Sequence, residues 1–149
     1  MKSAHLIKLN VFSKEEDNFD AVFKKFLEFF PFDSEKEKIS LRKNTASGFE
    51  DKKIIIFEAA LTKDKHIKEF LKTLLKNLDA EEKTLILNQA ESRLDKNLDF
   101  FLRFDKDDLI KNNKLVLTDS GNCFHIRISI AAFPKKTEAA LEAIKNIFS

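Results

Sequence analysis

Two stretches in the last third alternate so regularly between apolar and polar residues that they leave this chain little choice but a half-exposed β-sheet. In the first, Leu98, Phe100, Leu102 and Phe104 share one side of an extended backbone, while Asp99, Phe101, Arg103 and Asp105 share the other. Strand side chains have a period of two, so the two sets face opposite ways. In the second, Phe124, Ile126, Ile128, Ile130 and Ala132 oppose His125, Arg127 and Ser129. One face must be buried under something; the other is wet and largely cationic.

The rest of the chain offers both further strands and the cover. Ile7, Leu9 and Val11 alternate with Lys8 and Asn10, which predicts a strand over 5–12. Ser13-Lys14-Glu15-Glu16 reads as a capping box for a helix carrying Phe19, Val22, Phe23, Phe26 and Phe30 and stopping at Pro31. Such a phenylalanine stripe is what docking on a sheet requires, so it is taken as core and not as a ligand pocket. Residues 38–42 alternate again, with Ile39 and Leu41 inward and Lys38, Ser40 and Arg42 outward, before a polar loop at 44–48. Residues 53–61 are apolar on both faces and suit an inner strand.

A helix over 65–78 follows, with a second capped by Asp79 and reaching about Leu94. Asp105 caps a short helical turn, Lys114 to Thr118 is a brief strand, and Asp119-Ser120-Gly121-Asn122 turns it into the last strand as a hairpin. A final helix after Pro134 buries Ala140, Ile144, Ile147 and Phe148. The order β-α-β-β-α-α-β-β-β-α predicts an α+β fold: a single mixed, mainly antiparallel sheet with helices packed on one face. Its 149 residues, with no linker or repeat, make one domain spanning 1–149.

Composition narrows the chemistry. Only two glycines, Gly48 and Gly121, leave no room for a Walker loop or a dinucleotide fingerprint. A single Cys123 excludes an intrachain disulfide and a multi-cysteine metal site. His5, His66 and His125 lack metal-ligand spacing, and Cys123 with His125 lacks an orienting third group. The Asp105, Asp107, Asp108 cluster could hold a hard cation, but helix capping accounts for it. The expectation is a non-enzymatic protein without cofactor or metal. No apolar run approaches the roughly 20 residues of a membrane span, and the N-terminus runs into a strand rather than a signal sequence, so a cytoplasmic location with no membrane partner is expected.

With helices on one face, the other collects Lys8, Asn10, Lys38, Ser40, Arg42, Phe101, Arg103, His125, Arg127 and Ser129. Cations that track phosphates, beside rings that stack on bases, are what RNA requires. An ordinary solvated face with Asp99, Asp105 and Glu58 as cross-strand partners has the same composition. A net charge of +2 does not decide between them, and on pattern alone the ordinary solvated face is the preferred reading, because a wet face is the usual state of such sheets.

Leu102-Arg103-Phe104-Asp105-Lys106, Leu117-Thr118-Asp119, and Ile126-Arg127-Ile128-Ser129-Ile130-Ala131-Ala132-Phe133-Pro134-Lys135-Lys136 running into Glu138-Ala139-Ala140-Leu141-Glu142 carry a family resemblance. Upstream, Gly48-Phe49 and Ile54-Ile55-Ile56-Phe57-Glu58-Ala59 add to it. The chain resembles a family of archaeal RNA-binding proteins, predicted exosome-associated subunits and long a domain of unknown function. That resemblance implies a fold similar to the large-subunit ribosomal protein that binds 5S ribosomal RNA. It also implies RNA as partner, with exosome- or ribosome-associated proteins, in archaeal RNA processing or translation. The candidate phosphate contacts are Lys8, Arg42, Lys43, Arg103, Arg127, Lys135 and Lys136, and the candidate stacking residues are Phe101 and His125. The alternative is a scaffold subunit that docks on a protein and never touches RNA.

Overall fold

A computed structural model describes residues 2–37, 40–47 and 53–149. Lys38, Ile39, Gly48 and Phe49 lie outside the described residues. Five strands form one antiparallel sheet in the order β2-β3-β1-β5-β4. They are β1 (Ala4–Lys14), β2 (Ser40–Ser47), β3 (Lys53–Leu61), β4 (Asp99–Asp105) and β5 (Cys123–Ile130). Between them run α1 (Phe19–Glu28), α2 (Asp64–Asn77), α3 (Ala80–Asn88), α4 (Ala90–Arg93), α5 (Lys106–Asn112) and the closing α6 (Thr137–Phe148). The expected α+β class and helical cover on one face are both present.

The alternating strands bury the residues their period selects. Ile7, Leu9, Val11, Phe100, Leu102, Phe104, Phe124, Ile126 and Ile128 are all inaccessible to solvent. Phenylalanines knit the helices to them. Phe26 of α1 lies 5.8 Å from Phe57 of β3, Phe29 lies 5.4 Å from Phe124 of β5, and Phe148 of α6 lies 6.0 Å from Phe100 of β4. Tilted rings at such spacings contribute beyond their buried area. The stripe on α1 is therefore core, as its period indicates.

Three local expectations are corrected. Ser13 does not cap a helix, because β1 keeps pairing with β3 as far as Lys14 opposite Ile54; α1 is capped instead by Asn18, whose Oδ1 accepts the Ala21 N–H at 3.1 Å. The polar run Asn44-Thr45-Ala46-Ser47 is strand and not loop, since β3 supplies partners down to Ser47 opposite Lys53. Lys114–Thr118 does not form a hairpin with the last strand, because β5 is already flanked by β1 and β4. That segment runs along the outer edge of β4, with Leu117 bridged to Phe104 and the Thr118 N–H donated to the Arg103 carbonyl at 2.9 Å. Leu94, bridged to Phe100, covers another part of the same edge, which otherwise would present unpaired backbone groups.

The capping expectations at Asp79 and Asp105 hold. Asp79 Oδ1 accepts the Glu82 N–H and Asp105 Oδ2 the Asp108 N–H, each at 2.9 Å. In the same acidic turn, Asp108 accepts from Asn112 and Asp107 from Asn122.

Candidate nucleic-acid interface

Antiparallel pairing fixes which residues stand side by side on the face the helices leave open. In one row Phe101, Arg127, Lys8 and Ala60 lie abreast on β4, β5, β1 and β3, with Ser40 next on β2. The adjacent row reads Arg103, His125, Asn10, Glu58 and Arg42. Four strand spacings of about 4.8 Å make each row about 19 Å long. Six of the nine candidate residues, Lys8, Arg42, Phe101, Arg103, His125 and Arg127, thus form one band across all five strands.

Within the band the charge is lopsided. Lys8, Arg42, Arg103 and Arg127 share the two rows with a single carboxylate, Glu58, whose Oε1 is 3.7 Å from Lys8 Nζ. Among the described residues none of Arg42, Arg103 and Arg127 forms an ion pair, and Arg127 Nε is buried without a hydrogen-bond partner. Of the acidic residues expected as cross-strand partners, Glu58 lies in the band, whereas Asp99 and Asp105 lie outside it. Asp99 accepts from Ser129 Oγ at 2.6 Å, and Asp105 caps α5.

The two candidate stacking residues are diagonal neighbours, with ring centroids 5.6 Å apart. Both are half-buried. Burial, then the charges of Arg103 and Arg127, push the His125 imidazole below its usual pKa. The imidazole is therefore mainly neutral at neutral pH. Burial also raises the neighbouring Cys123 thiol, outweighing the opposing pull of Arg103 and Lys106, so it is held as a thiol and not a nucleophilic thiolate.

Three candidates fall elsewhere. Lys43 stands opposite Phe57, on the helix-bearing side, and its Nζ sits 4.7 Å from the centre of the Phe19 ring. Lys135 and Lys136 are exposed in the segment joining β5 to α6, outside both rows. Sequence reading also missed a cleft at the β4 side of the band, about 700 Å³ in volume, where Gln89, Arg93 and Asp95 face Phe101, Arg103 and His125. Nothing in the local pattern of 89–95 marks it, because it forms only when α4 folds against β4.

The fold that carries these groups is a known architecture. The family model described as RNA binding matches residues 6–131. The RNA-binding protein PAB1135 of Pyrococcus abyssi is 24% identical over 143 residues, covering 96% of this chain and 92% of that protein. Among solved structures, protein AF2318 of Archaeglobus fulgidus superposes with a TM-score of 0.82 at 23% identity, covering 97% of this chain and 99% of the other. Protein SSO0741 of Sulfolobus solfataricus gives 0.77 at 27% identity, with 96% of both chains covered.

Proposed function

Since the chain belongs to the RNA-binding family, we propose that it is a non-enzymatic RNA-binding protein whose open sheet face is the contact surface, acting in archaeal RNA processing or translation. One observation carries the assignment of the surface: a band in which four cations, three of them without an ion-pair partner among the described residues, span the sheet from β4 to β2 with one carboxylate in the same two rows. Phosphates displace the water and counterions on Lys8, Arg42, Arg103 and Arg127, and the count sets the salt dependence. For four contacts to a single strand, log affinity falls with log salt at a slope of about −2.8, or about 50-fold between 50 and 200 mM.

Fluorescence anisotropy with a labelled unstructured RNA, titrated across that range, measures the slope. In an Arg103→Gln/Arg127→Gln variant the slope becomes shallower by about 1.4. Binding that ignores salt, or a double variant that binds like the parent, rejects this surface.

A second reading, a scaffold subunit that docks on a protein, is favoured by the apolar end of the same face. There Phe12 is 41% exposed and stands beside the half-buried Ile56. Exosome- or ribosome-associated proteins are the partners that reading names. Co-purification separates the two: a partner retained after nuclease treatment supports docking, and a partner lost supports an RNA bridge.

A further inference from the structure

We infer that the cleft between α4 and the outer face of β4 and β5 takes the base of a single unpaired nucleotide, so that the RNA bound is single-stranded there. The inference rests on the RNA-binding reading and adds what the sheet face alone does not supply. A flat cationic band attracts any phosphate chain, duplex or single strand. A base inside a helix, however, has no unstacked face to offer, and unpaired bases are the ones that reach aromatic rings and polar side chains.

The cleft is built for such a group. Phe101 and His125 form its floor, with rings 5.6 Å apart and tilted by 40°. Its volume of about 700 Å³ lies within the range of pockets that enclose small organic ligands. Polar groups converge on it from the residues flanking α4: Gln89, whose Oε1 accepts from Arg93 Nε at 2.8 Å, and Asp95, whose Oδ1 accepts the N–H groups of Asn97 and Asp99 at 2.9 Å. These bonds pin the side chains, and they leave Gln89 Nε2 and Asp95 Oδ2 to meet the edge of a base.

Cations stand at the rim, where the backbone phosphate of an inserted nucleotide would lie. Arg103 donates from Nη1 to the Asp119 carbonyl at 3.1 Å, and Arg93 Nη2 lies 3.6 Å from Asp119 Oδ1. The Asp119 carboxylate is fully exposed, so this ion pair is weak and readily displaced. Asp119 therefore occupies Arg93 in the free protein and gives way to phosphate in the complex. Removing its charge should tighten binding.

The test compares one unstructured RNA with the same sequence annealed to its complement, by anisotropy at fixed low salt. The parent binds the single strand more tightly than the duplex. Phe101→Leu keeps an apolar side chain but removes the ring, and it weakens single-strand binding by between about 5-fold and 150-fold, the range of one lost base stack. The weaker duplex binding, which offers the ring no unstacked base, falls by less than the single-strand binding does, and thermal melting confirms that the variant is folded. Asp119→Asn strengthens single-strand binding. Equal affinity for duplex and single strand, or a Phe101→Leu variant that binds single strands like the parent, overturns the base cleft while leaving the RNA-binding surface in place. Failure of both RNAs to bind overturns the functional reading itself.

Discussion

Lys106 is the buried charge on which the stability of this fold can be tested most directly. Its side chain is only 2% exposed, and its Nζ donates to the Phe12 carbonyl at 2.8 Å and to Asp17 Oδ2 at 2.7 Å, tying the start of α5 to the end of β1 and the turn that follows. Replacing it with Met keeps the length and removes both bonds. Each is charge-assisted, and such bonds contribute about 1.5–3 kcal/mol. The sum overstates the loss for two reasons. Asp17 retains the Lys14 N–H at 2.9 Å and some contact with water, and the ammonium no longer has to be desolvated. A net cost of about 2–3 kcal/mol remains, a fall in Tm of about 4–12 °C for a chain of this length.

The pH dependence gives a second handle on the same pair. Burial by itself would raise the Asp17 carboxyl, but the Lys106 hydrogen bond, the Lys14 N–H and the charges of both lysines outweigh it and hold the group below its usual value. A carboxyl lowered in the folded state contributes stability above its unfolded pKa of about 3.9 and loses it as pH falls through the folded value. The cost of Lys106→Met therefore shrinks below about pH 3.9, leaving the share that comes from Phe12. The chain has no Trp or Tyr, so urea unfolding is followed by far-ultraviolet circular dichroism. A Lys106→Met variant within about 0.5 kcal/mol of the parent at neutral pH, or a cost that does not change on acidification, refutes the reasoning.

His125 is held below its usual pKa by burial and then by Arg103 and Arg127, so its contribution to stability is present above about pH 6.5 and is lost as pH falls through the folded value. A His125→Gln variant, unfolded in urea at a series of pH values, loses that slope. Glu82 is buried, and its Oε2 accepts the Leu117 N–H at 3.1 Å; Glu82→Ala leaves that donor unpaired, costs about 1–3 kcal/mol and speeds amide exchange at Leu117. Glu58→Gln frees Lys8 from the carboxylate it pairs with on the open face and raises RNA affinity at low salt, with the gain vanishing at high salt; anisotropy at two salt concentrations measures it.

How far the sequence carried each of these features depends on the range of the interaction that creates it. A period of two is local, so the buried sides of β1, β4 and β5 were readable directly, as was the phenylalanine stripe of α1. The same parity already separates Lys43 from Arg42, and grouping both as phosphate contacts overlooked it. The length of β2 was not readable. Asn44 to Ser47 have turn-forming composition, and only the ladder to β3 holds them extended. Ser13 shows the same override at the end of β1. The burial of Lys106 was hidden for a different reason: a lysine inside an acidic turn has the composition of a solvated surface, and only the tertiary fold, which brings the start of α5 to the end of β1, gives it Asp17 and a carbonyl as partners.

The band itself shows why net charge is a poor guide to a surface. Cations and acids nearly cancel over the chain, at 27 Lys and Arg against 25 Asp and Glu. Yet the register sorts them. Asp99 is opposite Ser129 and Asp105 opposite Cys123, one step to either side of the rows that hold Phe101 with Arg127 and Arg103 with His125. A shift of β4 against β5 by two residues would keep every apolar side chain on the core face, and would place Asp99 beside Arg127 or Asp105 beside His125. The hydrophobic pattern therefore fixes which face is wet, but not where its charges meet. That is settled by the bonds at the two ends of β4, Ser129 to Asp99 and the Asp105 cap on α5, which occupy the acids away from the arginines. The cationic band follows from those two carboxylates having other partners as much as from the arginines themselves.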